Sequence, residues 1–131
     1  MIKIRGYIHS RPFMGERVPQ NIQNLVIRDF CEKNNLFYNL SVSEYSMPNS
    51  YKILDQIIEE LKSLDGIVAY SVFQLPMDNK KRYTVLSQII KKNKKLYFAL
   101  ENMKLVNQED LEKIENMWLI KKTLPNCLKK I

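Results

Sequence analysis

Apolar positions along the chain switch between short strand-like runs and a recurrence every three to four residues that suits helices. Ile2, Ile4, Tyr7 and Ile8 predict a first strand over residues 2–8, which ends in a polar, proline-containing stretch from His9 to Pro19. Pro19 suits the first position of a helix, and Ile22, Leu25, Val26 and Phe30 then recur at helical spacing to about Asn34. The run LFYNLSV, Leu36 to Val42, predicts a second strand. After the loop Ser43 to Asn49, Ser50 is placed to cap a helix carrying Ile53, Leu54, Ile57, Ile58 and Leu61. GIVAYSV, Gly66 to Val72, is the continuous apolar run expected of a central strand covered on both faces. Asp78 is placed to cap a third helix bearing Tyr83, Leu86, Ile89 and Ile90, and LYFAL, Leu96 to Leu100, predicts a fourth strand. Glu109 to Met117 reads as a last helix, with Trp118, Leu119 and Ile120 as an edge strand or a packed tail.

Strands alternating with helices require right-handed crossovers, so the expected fold class is α/β: a three-layer sandwich around a mostly parallel four- to five-stranded sheet. In such folds ligands bind beyond the carboxyl ends of the strands. That edge gathers His9 to Arg17, Ser43 to Met47, Ser71 to Gln74, and Glu101 with Asn102. A length of 131 residues suits one domain, with a core over about 2–120 and a basic tail over 121–131. Charged residues break every apolar stretch of the N-terminus, which supplies neither a signal peptide nor a membrane span, so the expected location is the cytoplasm, without membrane insertion.

The net charge of +7 attracts anions, whether nucleic acid, phosphorylated metabolites or an acidic surface, without choosing among them. Much of it comes from Lys91, Lys92, Lys94 and Lys95 at a helix end and from the tail, where lysines complement the helix dipole and aid solubility. Cys31 lies in a helical pattern and reads as a small buried hydrophobe, and two cysteines with the lone His9 build no zinc site.

The segment HSRPFMGERVPQN is dense in chemistry. Arg11 and Arg17 beside a helix start suit a phosphate or carboxylate, Ser10, Glu16, Gln20 and Asn21 are candidate ligand contacts, and His9 is a base or phosphate-ligand candidate. The plain alternative is a surface loop in which Arg11 or Arg17 pairs with Glu16 or Glu44. Ser10 is a candidate nucleophile, but neighbouring residues at a strand end point to opposite sides, so His9 does not serve it as a base. Glu44 and Glu101 are candidates for divided acid and base roles, with solvated turn residues as the alternative. Tyr45 suits packing against a sugar or base, Ser71 and Gln74 complete the candidate ligand-binding set, and no metal or cofactor is expected. With three glycines, and neither GxGxxG nor GxxxxGK[ST], dinucleotide and P-loop chemistry are disfavoured.

The opening RGYIHSR, the helix start QNIQN, the strand DGIVAYS and the strand closing in ALEN resemble, in their order, the catalytic domain of resolvase-type serine recombinases. That resemblance implies a resolvase/flavodoxin-like fold. The family's YxRxS opening is departed from: Ser10 falls one place early and Arg11 stands where the serine belongs. Phe73, Gln74 and Met77 replace an aspartate and two arginines, so recombination is not implied. The longer run GYIHSRPFMGERVPQNIQNLVIRDFC, with SEYSMP, DGIVAYSVFQLP and ENMWLI, resembles the bacterial sporadic carbohydrate cluster family from Arg5 to about Ile120. It implies a part in making a surface carbohydrate such as lipopolysaccharide O-antigen or capsule, and carries no catalytic residue across. The leading expectation is therefore a cytoplasmic protein that binds, and in one version transforms, a phosphorylated or nucleotide-linked sugar. The alternatives are a non-catalytic partner of a pathway enzyme and, least favoured, a nucleic-acid-binding domain. A homo-oligomer is compatible with each.

Overall fold

The computed structural model describes residues 2–15, 17–47 and 49–129. In chain order it contains β1 (Lys3–His9), α1 (Gln20–Lys33), β2 (Phe37–Glu44), α2 (Lys52–Glu60), β3 (Gly66–Ala69), α3 (Asn79–Lys91), β4 (Lys95–Phe98), β5 (Met103–Leu105) and α4 (Gln108–Lys129). One sheet runs in the order β2-β1-β3-β4-β5, parallel except for β5, which pairs antiparallel with β4. The expected α/β class and mostly parallel sheet are therefore found, with the run that starts at Gly66 as the middle strand, although the strand ends at Ala69 and Val72, expected within it, begins a 3-10 turn.

Helix α1 packs on one face, where Ile27, Phe30 and Cys31 meet Ile4, Ile8, Val68 and Tyr97. The other three helices cover the opposite face, burying Leu54, Ile57, Val85, Leu86, Ile89, Leu111, Ile114 and Trp118 against Tyr7, Ile67, Leu96 and Phe98. Neighbouring β1 and β3 thus feed helices on opposite faces, which opens a crevice between their carboxyl ends.

Several local expectations are corrected. In α1 the buried stripe is Gln23, Ile27, Phe30 and Cys31, whereas Ile22 and Leu25 are largely exposed. Tyr83 of α3 faces outward, and Arg82 takes the buried place, bonded to Glu115, Asn79 and the carbonyls of Pro76 and Met77. Trp118 to Ile120 are helical and α4 reaches Lys129, so much of the basic tail belongs to that helix. Residues 130 and 131 lie outside the described residues. The fifth strand is Met103–Leu105, reached through the turn at Ala99–Asn102.

Helix α2 is capped in an unexpected way. Tyr51 occupies its N-cap position without a side-chain bond, and Ser50 Oγ is buried without a partner. The Glu44 carboxylate, arriving from the end of β2, accepts instead from the backbone N–H groups of Ile53 (3.1 Å) and Leu54 (3.2 Å). Asp78 caps α3 as expected, accepting from the Lys81 N–H at 2.9 Å.

Candidate functional site

The carboxyl ends of β1, β2 and β3 converge on a buried polar cluster. Glu44 also accepts from its neighbour's backbone, Tyr45 N–H at 3.1 Å, and from the Tyr7 hydroxyl at 2.9 Å, so four donors converge on it. Because the Tyr7 proton goes to Glu44, the His9 Nε2 at 3.0 Å from the same hydroxyl oxygen must donate to it. The chain of donation runs from His9 through Tyr7 to Glu44. Burial, then the Glu44 charge, drives the Tyr7 pKa far above its ordinary value. Burial, then the Arg11 guanidinium, lowers that of His9 to about 3, against a weaker pull from the Gln74 backbone.

This depressed value carries a stability consequence. The imidazole is neutral in the folded chain and takes up its proton at about pH 6.5 once unfolded, so stability is present above that value and is lost as pH falls towards 3. We expect the His9 contribution to fall by roughly 2 kcal/mol between pH 7 and pH 5. Urea titrations at both values read it as the difference from His9→Asn, which lacks the slope. An equal slope in both proteins would show that the ring is not held neutral.

A second cluster pins β1 to β3. The fully buried Gln23 accepts from His9 N–H (3.1 Å) and donates to the carbonyls of His9 and Val18 (both 2.8 Å). Gln74, equally buried, donates to Gln23 Oε1 at 2.7 Å and accepts from Tyr70 N–H at 3.1 Å. Ser71 caps the short 3-10 turn Val72–Gln74, and its hydroxyl donates to Glu101 at 2.7 Å while Val72 N–H donates to the same carboxylate at 2.9 Å. The two candidate carboxylates thus accept from different donors, Glu44 from Tyr7 and the start of α2, Glu101 from Ser71 and the Val72 N–H, and share none.

Between these clusters lies a cavity of about 250 Å³ lined by residues of three loops, among them His9, Arg11, Phe13, Tyr51, Phe73 and Met77. Arg11 stands partly exposed at its rim, with Nη1 donating to the carbonyls of Tyr45 (2.6 Å) and Met47 (3.0 Å) and its guanidinium 5.1 Å from the centre of the Tyr51 ring. The other candidates stand apart from the cavity wall. Ser10 Oγ donates to the Glu44 carbonyl at 3.2 Å, Gln20 accepts from Ser43 Oγ at 2.8 Å, and Arg17, Asn21 and Tyr45 are exposed. Glu16 lies outside the described residues. Sequence reasoning did not single out Tyr7, Gln23, Phe13 or Tyr51. For Gln23 a signal existed, because it falls on the helical stripe of Ile27 and Phe30. Among the described residues no group of three or more His, Cys, Asp or Glu side chains is placed to hold a metal, and no helix is long and apolar enough to cross a membrane.

No family model matches the chain, and neither does any curated protein. Solved structures do match in fold. The N-terminal catalytic domain of TP901-1 integrase aligns over 96% of this chain and 97% of its own, with a TM-score of 0.59 and 11% identity. A resolvase family site-specific recombinase from Streptococcus pneumoniae aligns over 98% of each chain, with a TM-score of 0.60 and 13% identity. The fold is resolvase-like. At these identities the likeness concerns architecture alone.

Proposed function

We propose that the cavity binds a phosphorylated or nucleotide-linked sugar, and that the protein serves bacterial surface carbohydrate synthesis in the cytoplasm, as its resemblance to the sporadic carbohydrate cluster family implies. The observation that carries the reading is the cavity itself: a concave site at the sheet's switch point, walled by Phe13, Tyr51 and Phe73, with Arg11 at its rim. Aromatic walls suit the apolar face of a sugar ring, and a guanidinium suits a phosphate. At about 250 Å³ the cavity is slightly below the usual range of about 300–1,000 Å³ for ligand pockets, which favours one ring rather than a whole dinucleotide.

Thermal unfolding against sugar phosphates and nucleotide sugars tests this. A ligand at 100 times its dissociation constant adds about 2.7 kcal/mol of stability. Arg11→Ala is expected to remove that increment, at a cost of about 1 kcal/mol to the free protein from the two carbonyl bonds it makes. An undiminished increment in Arg11→Ala, or no increment with any compound, sinks the reading.

The fold neighbours favour a second reading, binding of nucleic acid, because one is named an integrase and the other a site-specific recombinase, and the net charge here is +7. It predicts duplex DNA affinity that falls steeply with salt. Affinity that does not fall with salt, or none at low salt, rejects it.

A further inference from the structure

A second hollow, of about 440 Å³, opens beside the cavity, between the start of α2 and the loop that leads into α3. Asn49, Tyr51 and Met77 belong to the walls of both, so these residues form the divide between them. The Arg11 guanidinium, 5.1 Å from the centre of the Tyr51 ring, stands at that divide. Beyond it the chemistry changes. In the second hollow Lys52 and Lys81 are offset by Asp55 and Asp78, and Lys81 Nζ bonds both Asp55 oxygens, at 3.0 and 3.1 Å. Balanced charge, with donors and acceptors together, suits a neutral group rich in hydroxyls or amides and not a further phosphate. Two of the walls, Met47 and Met77, are 57% and 49% exposed, and their unbranched side chains can close over what enters.

We propose that the cavity and this hollow are two compartments of one site, and that its ligand is a nucleoside diphosphate sugar, not a free sugar phosphate. The sugar ring occupies the cavity, the diphosphate lies at Arg11 on the divide, and the nucleoside fills the hollow. The proposal rests on the sugar reading above and chooses between its two ligand classes. Its order follows from the charges, since the anionic linker goes to Arg11 and the neutral nucleoside to the compartment where the two signs balance. A sugar phosphate ends at Arg11, whereas a diphosphate linkage carries the ligand past it. The neighbouring hydroxyls of a ribose donate to a carboxylate, and Asp55 supplies one in the hollow.

Three methionines report the compartments separately, because Met14 lines the cavity, Met47 the hollow, and Met77 both. The test is a set of ¹³C-methyl methionine spectra of the full chain, assigned through Met14→Leu, Met47→Leu and Met77→Leu. Glucose-1-phosphate should move Met14 and Met77 and leave Met47 in place. Among the uridine, guanosine and adenosine diphosphate glucoses, at least one should move all three signals and bind about tenfold more tightly than glucose-1-phosphate, because it engages both compartments at once. Asp55→Ala breaks only a partly exposed ion pair, so the fold should tolerate it. It should erase most of that advantage and leave the binding of glucose-1-phosphate unchanged. A Met47 silent to every nucleotide sugar, a Met47 shift with glucose-1-phosphate, no gain in affinity, or an undiminished gain in Asp55→Ala would each overturn the proposal. In any of those cases a Met14 that responds to glucose-1-phosphate preserves the sugar reading. A Met14 unmoved by every compound ends both.

Discussion

Glu44→Ala is expected to destabilise the protein by about 3–5 kcal/mol with no ligand present. The reason lies in what the carboxylate holds together. Three backbone N–H groups, those of Tyr45, Ile53 and Leu54, and the Tyr7 hydroxyl all point at it, and Glu44 itself is only 2% exposed. Removing it takes the cap from α2, worth about 1 kcal/mol, and leaves buried donors unpaired at about 1–3 kcal/mol each where water cannot reach them. Glu44→Gln keeps the volume but turns an amide N–H₂ towards donors, so it should lose more than half as much. Urea unfolding monitored by circular dichroism measures both. A loss below about 1 kcal/mol for Glu44→Ala would mean that the helix start is held by something else.

Trp118→Ala should cost a similar amount, about 3–5 kcal/mol. The indole is fully buried, donates from Nε1 to the Val72 carbonyl at 3.1 Å, meets the Phe73 ring at 5.4 Å and lies 4.5 Å beneath the Arg82 guanidinium. It therefore fastens α4 to the 3-10 turn that carries Gln74. Trp118→Phe restores much of the volume without the donor and should recover most of the loss, leaving about 1 kcal/mol for the hydrogen bond. Hydrogen exchange gives the second readout, with faster exchange expected at both α4 and the turn. Acceleration confined to α4 would show that the turn stands without the helix.

The larger pattern of the fold was legible because strand and helix periods differ sharply, and because a central parallel strand must be apolar on both faces. Gly66–Ala69 met both conditions. What was illegible depended on polar residues whose partners are distant in sequence. Gln23 and Arg82 occupy core-facing helix positions, and a polar side chain there looks like an interruption of the stripe until its partner, 51 residues away at Gln74 or 33 away at Glu115, is in view. Ser50 had the right residue type for a cap but lies one residue before the N-cap, Tyr51, and a carboxylate from the strand before it took the role. Three-residue β5 is too short to show any period. The loops bearing the candidate site were found through the strand-end rule. Which of their side chains face the cavity was not, since that depends on loop conformation, including the left-handed backbone of Met14 and Asn49.

The two margins of the sheet are the places where a second chain could add a strand. A strand margin offers unpaired backbone groups to any neighbouring chain, and both margins here are poor templates. On β2, the register with β1 shifts between Arg5 and Gly6, an irregularity that interrupts the regular ladder of that strand. On the far side, β5 is only three residues long and carries an exposed lysine, Lys104, at its centre. Continuation of the sheet from one molecule into the next is disfavoured at both ends, which guards the molecule against edge-to-edge aggregation.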